Sequence, residues 1–193
     1  MLLDKNTIIK VTNRDNGSVG YTIPELNLHR QFQSGETKEI TLNELRQLSY
    51  LPGGRNILKK YLVLDNQDAI DELIGAVEPE YFYTEEDIKN LLTNGSLAEF
   101  EDCLDFAPVG TINLLKKLAV DTKLNDVAKR KAILNKTGFN VDAAIRTNEL
   151  SAENDEEVTE QKQRRVAVKS KETASESAPV RRTTTNYKVV SKN

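Results

Sequence analysis

The run Pro79-Glu80-Tyr81-Phe82-Tyr83-Thr84-Glu85-Glu86-Asp87-Ile88 divides this 193-residue chain into two differently patterned regions. Thr84 offers a hydroxyl N-cap, and Glu85, Glu86 and Asp87 supply an acidic first turn that suits the positive end of a helix. Ile88, Leu91 and Leu92 follow at helical spacing, and Asn94-Gly95 stops the pattern. Ser96-Leu97-Ala98-Glu99 is a capping box, in which hydroxyl and carboxylate satisfy each other's backbone donors; Leu97, Phe100 and Leu104 are expected to face inward. Pro108 fits the start of the next helix, where its missing N–H costs nothing, and Ile112, Leu115, Leu118 and Ala119 form the stripe of that helix. Asn125 reads as the cap of a helix carrying Val127, Lys131 and Leu134, closed by Lys136-Thr137-Gly138. Asn140 reads as the cap of a short last helix with Val141, Ala144 and Ile145. Residues 80–146 are thus expected to be a helical module of short capped helices.

Working outward to the N-terminus, the pattern changes to extended segments. Thr7-Ile8-Ile9-Lys10-Val11-Thr12 is rich in β-branched residues, and Asp15-Asn16-Gly17 tolerates positive φ. With Val19 to Ile23 extended beyond it, this reads as a β-hairpin. Pro24 ends the second strand or puts it at an edge. Leu28, Arg30 and Phe32 suggest another strand, closed by a turn at Ser34-Gly35-Glu36 before Lys38-Glu39-Ile40. Thr41-Leu42-Asn43-Glu44 matches a capping box, and Leu42, Leu45 and Leu48 then fall on one helical face. Pro52-Gly53-Gly54 stops that helix; a helical turn over Asn56 to Lys60, a strand at Tyr61 to Leu64 and a helix over Asp68 to Ile74 follow. The expected fold class is α+β: a small β-rich α+β module over 6–75, the helical module over 80–146, and a polar, basic flexible tail over 147–193.

That tail carries the strongest charge signal. From Lys162 onward nine Lys/Arg face two Glu, a net +7, while the remainder carries 18 Lys/Arg against 28 Asp/Glu, a net −10. Residues 149–160 are acidic; 161–193 are rich in Ser, Thr, Lys and Arg, with Tyr187 the one aromatic. Such a segment buries too little apolar surface to offset the entropy of ordering, and is expected to order only against a partner. Its valines suit short strands added to a partner's sheet. No apolar run approaches the roughly 18 residues that span a bilayer, and no signal peptide is legible. No membrane association is expected, and a cytoplasmic site of synthesis is.

Chemistry is sparse. His29 is the one histidine, so a His–His metal pair is excluded. Cys103 lies between Asp102 and Leu104, and neighbouring acids raise a thiol's pKa, the wrong direction for a nucleophile. Pro52-Gly53-Gly54-Arg55 lacks the spacing and the strand-to-helix context of a phosphate loop. Glu85/Glu86 and Asp102/Asp105 fall at caps or on exposed faces rather than opposite one another in a desolvating pocket. No cofactor, metal or catalytic residue is assigned, and no enzymatic activity is expected. Two candidate partner-binding groups stand out. Tyr81, Phe82 and Tyr83 form an aromatic cluster, read either as a staple between the modules or as a partner anchor. Arg164, Arg165, Lys169, Lys171, Arg181 and Arg182, with Lys129-Arg130-Lys131, are suited to phosphates or to an acidic protein surface.

The strings Val11-Thr12-Asn13, Tyr21-Thr22-Ile23-Pro24-Glu25-Leu26, Gly35-Glu36-Thr37, Leu51-Pro52-Gly53-Gly54, Tyr61-Leu62-Val63 and Pro79-Glu80-Tyr81-Phe82-Tyr83-Thr84 resemble small proteins from the structural gene modules of tailed bacteriophages. The resemblance covers about residues 7–146. It implies a non-enzymatic virion accessory protein, made in the host cytoplasm and bound to capsid or neck proteins; it implies no functional residue. From the charge alone, the alternative is a nucleic-acid-associated or regulatory adaptor acting through the basic tail.

Overall fold

A computed structural model describes residues 4–152 of the chain. The fold is α+β, and residues up to Arg146 belong to one compact unit. Five strands, β1 (Ile8–Asn13), β2 (Val19–Ile23), β3 (Leu28–Phe32), β4 (Thr37–Thr41) and β5 (Leu62–Leu64), come first, with helices α1 (Leu42–Tyr50), α2 (Gly54–Lys60) and α3 (Gln67–Leu73) among and after them. Then follow α4 (Glu85–Thr93), α5 (Leu97–Phe106), α6 (Val109–Asp121) and α7 (Val127–Thr137), and residues 141–152 are helical.

β1 and β2 do not form the expected hairpin. β1 is the centre of a three-stranded antiparallel sheet in the order β4-β1-β5, and β2 pairs with β3 instead. The residues between β1 and β2 curl around one side chain rather than reversing the strand. Asn13 Nδ2 donates to Gly17 O at 2.8 Å and to Gln33 O at 3.0 Å, while Asn13 Oδ1 accepts from Asp15 N at 2.9 Å. The hairpin that does form, β2–β3, turns through Pro24–Leu26 and Asn27, whose φ of 47° is the left-handed conformation Asn tolerates. Period-two burial on β1 sends Ile9 and Val11 inward and leaves Ile8 and Lys10 outside.

Two apolar clusters result. The first gathers Ile9, Val11, Phe32, Ile40, Leu45, Leu58, Ile70 and their neighbours under the strands and α1–α3, and its last member is Tyr81. The second gathers Ile88, Leu92, Phe100, Cys103, Leu115, Ala119 and Ile133 between α4–α7, and includes Val141. The capping box expected at Ser96–Glu99 forms, and the Thr84 N-cap closes into a box with Asp87 as well; each pair bonds reciprocally.

Other local expectations are redirected by tertiary contacts. Glu44 N donates to Thr41 Oγ1 at 3.3 Å, but the Glu44 carboxylate does not close the box. It is buried, accepting from Tyr21 Oη at 2.6 Å and from Arg30 Nε and Nη2 at 3.0 Å each. Asp126, not Asn125, caps α7. That helix also buries a different face from the one its apolar period suggests: Val127 and Leu134 are exposed, while Lys129, Ala132 and Ile133 are inside. Leu97 is likewise turned outward. The last helix does not stop near Arg146, since residues 147–152 are helical. Its first turn is anchored by the Asn140 cap, whose Oδ1 accepts from Ala143 N at 3.0 Å, and by Val141, Ala144 and Ile145 against the second cluster. Residues 147–152 extend a nucleus already formed. Residues 153–193 lie outside the described residues.

Candidate partner-binding surface

The segment joining the two clusters is a single turn of 3-10 helix, Pro79–Phe82. The aromatic side chains of the turn, Tyr81 and Phe82, and of its C-cap, Tyr83, diverge. Tyr81 enters the first cluster and is 2% exposed. Tyr83, half-buried, packs against the second. Phe82 meets Tyr81 edge-to-face, with ring centroids 5.2 Å apart, and remains 45% exposed. The trio is therefore both the staple and, at Phe82 alone among its members, a large apolar side chain offered to solvent.

Tyr81 also serves the sheet. The Arg14–Tyr61 and Asp65–Lys10 hydrogen bonds fix which backbone groups of β5 face β1, so Leu62 O and Leu64 N point off the outer edge. Tyr81 Oη donates to Leu62 O at 3.1 Å and accepts from Leu64 N at 3.4 Å. One phenol thus occupies both edge groups, and burial pushes its pKa up.

Arg14 fills the space beside it. Its guanidinium lies 4.1 Å from the centroid of the Tyr81 ring, a cation–π distance. Nη1 donates to Tyr81 O at 2.7 Å and Nη2 to Leu62 O at 2.6 Å. Burial lowers the Arg14 pKa to about 10, so the group is still charged at neutral pH. The second cluster closes on this cation through α6. A Cβ at Gly110 would fall 2.7 Å from Arg14 Cγ and 2.9 Å from Lys60 O, so only glycine permits the approach. Asn113 Nδ2 donates to Asp15 Oδ1 at 2.9 Å across the same seam.

Two hollows of about 270 Å³ flank the joint. One, on the Phe82 side, is lined by Thr12, Arg14, Val63, Phe82, Tyr83 and Leu114 among others. The other lies beside Tyr81, between the last turn of α2 and the α5–α6 connection, where Lys59, Lys60, Val77, Phe106, Pro108 and Val109 line it. Phe106 there is 58% exposed and Val109 39%.

The basic run on α7 is not presented to solvent as a cluster. Lys129 is buried, and its Nζ donates to Leu91 O and Leu92 O at 2.9 Å each, satisfying carbonyls at the C-terminal end of α4. It also sits 5.7 Å from the Phe100 ring. Arg130 donates to Leu124 O at 2.5 Å and pairs with Asp142, which leaves Lys131 as the exposed member. Arg164, Arg165, Lys169, Lys171, Arg181 and Arg182 lie outside the described residues. Cys103 is fully buried; burial, then Glu80 and Asp102, push its thiol up to about 12. His29 is exposed on β3, its Nδ1 sharing a hydrogen bond with Thr22 Oγ1 at 2.9 Å. Among the described residues no three His, Cys, Asp or Glu are grouped as metal ligands, and no helix is long and apolar enough to cross a membrane.

No family model, curated protein or solved structure matches the chain.

Proposed function

We propose that the chain is a non-enzymatic assembly component, an accessory protein of a bacteriophage virion that engages capsid or neck proteins in part through residues 147–193. The observation that carries this reading is the apolar surface held on both sides of a tightly packed joint, Phe82 on one side and Phe106 with Val109 on the other. Aromatic side chains on a preorganised surface are the usual anchors of protein interfaces, because little ordering entropy is lost when they are covered. Three of the four buried charged residues among those described support it too: Arg14, Glu44 and Lys129 are each engaged with the fold's own carbonyls or hydroxyls, and the Cys103 thiol is shifted away from the thiolate a nucleophile needs. The +7 segment from Lys162 onward adds long-range attraction to an acidic neighbour.

Sedimentation with purified capsids of the encoding phage tests the reading. Full-length protein is expected to travel with the particles, and deletion of residues 147–193 or Phe82→Ser to release it. Full-length protein that stays in the supernatant at low and physiological salt overturns it. The arm's charge also favours a second reading, an adaptor for nucleic acid. Retardation of DNA that depends on residues 162–193 and collapses between low and physiological salt would select it, since each neutralised phosphate releases counterions.

A further inference from the structure

The hollow beside Tyr81 has a more specific chemistry than the Phe82 side. Its floor is apolar, made by Val77, Pro108, Val109 and the exposed ring of Phe106. Its rim is cationic: Lys59 and Lys60 on the lining form the basic last turn of α2, and Arg55, off the lining, stands exposed one turn earlier on the same helix. These three cations have no carboxylate partner among the described residues; Glu78 is the single acid on the lining. At about 270 Å³ the hollow falls below the roughly 300–1,000 Å³ of small-molecule pockets, and suits one or two side chains of a peptide. Gly110 seats α6 against Lys60 O, so the two walls are held at a fixed separation.

The sequence contains a segment with the complementary chemistry. Residues 153–160 hold five Asp/Glu and no Lys or Arg, with Val158 among them, and Leu150 just before the run is 60% exposed. We propose that the groove between α2 and the α5–α6 connection receives the acidic run 153–160 of a second copy of the chain. The +7 segment from Lys162 onward is repelled by the same rim, which leaves it available for another neighbour. Donor and acceptor are different surfaces, so every copy carries one of each. Such head-to-tail contacts repeat, closing into a ring or running on as a filament. The proposal takes the assembly reading as its premise and names one of the neighbours.

Charge exchange tests it on the full chain by sedimentation equilibrium over a range of concentrations, with circular dichroism as the folding control. The wild type is expected to self-associate with concentration and to dissociate as salt screens the pair. Lys59→Glu with Lys60→Glu, or Glu156→Lys with Glu157→Lys, is expected to weaken association by more than about tenfold, because like charges are then opposed. Combining all four substitutions is expected to restore it. A chain that stays monomeric at every concentration, as it would if the groove were filled within one molecule, overturns the proposal. So does association that is indifferent to Lys59 and Lys60, or a fourfold variant that does not recover. Capsid sedimentation separates the two conclusions: particle binding by a strictly monomeric chain sinks the groove assignment alone, and self-association without particle binding sinks the virion reading alone.

Discussion

The strand-bearing part of the molecule and its helical part are held together by different means. In the first, contacts between residues far apart in sequence do the closing: Arg14 with Tyr81 and Leu62, Glu44 with Tyr21 and Arg30. In the second, each helix is begun by its own neighbours, as with Thr84 and Asp87 or Ser96 and Glu99, and apolar stripes finish the packing. Two lysines of α7 are the exceptions: Lys129, a buried cation reaching the end of α4, and Lys136, which pairs with Asp105 of α5. The contrast teaches that strands leave edges and turns to be satisfied from a distance, whereas helices satisfy most of their backbone locally.

Substitutions can break or sharpen that contrast. The largest loss is expected from Tyr81→Ala, which opens a cavity and strips the β5 edge; urea unfolding should show about 3–5 kcal/mol. Tyr81→Phe keeps the ring and isolates the edge bonds, so its smaller loss measures them alone. Lys129→Met is expected to cost about 2 kcal/mol by the same measurement, because two carbonyls of α4 lose a charged donor. If it cost nothing, the helical part would be as locally determined as its caps suggest. Ser96→Ala is expected to cost about 1 kcal/mol, the usual worth of an N-cap. Phe82→Ser is expected to leave stability within about 0.5 kcal/mol, as exposed positions do, while removing partner binding.

Acid offers the gentlest probe. Cap hydrogen bonds hold the Asp87 and Glu99 carboxylates below their ordinary values of 3.8 and 4.5. Their contribution is fully present above those values and is lost as the pH falls through the lowered ones. Circular dichroism of wild type and of Thr84→Ala/Ser96→Ala between pH 5 and 2 should converge at the acid end. A constant gap across that range would mean the carboxylates add nothing to the caps.

The same division decides what could be read in advance. Caps and stops lie within three or four residues of one another, so Thr84, Ser96, Pro108 and Gly138 announced their helices. Asp15-Asn16-Gly17 carried a genuine turn signal too, but its consequence depended on Asn13 reaching Gln33, and no local pattern contains that. The face buried by α7 is hidden from the local pattern for a related reason: Val127 and Leu134 have the apolar period, yet Lys129 must point inward to find the carbonyls of Leu91 and Leu92. At the joint, the aromatic cluster was visible as a cluster. Which ring turned outward depended on Arg14 and β5, and the groove beside it depended on Phe106, whose helical position gave no hint of exposure.

The phenol at the β5 edge has a consequence beyond stability. Leu62 O and Leu64 N are the groups that an unrelated extended chain would read if they were bare, and exposed strand edges are templates for aggregation. Tyr81 comes from the segment that links the two clusters, so drawing that segment away would uncover the edge at the same moment. A partially opened molecule would then be sticky as well as weak, and Tyr81→Ala protein should form thioflavin-positive deposits where Ser96→Ala, with its edge still covered, does not.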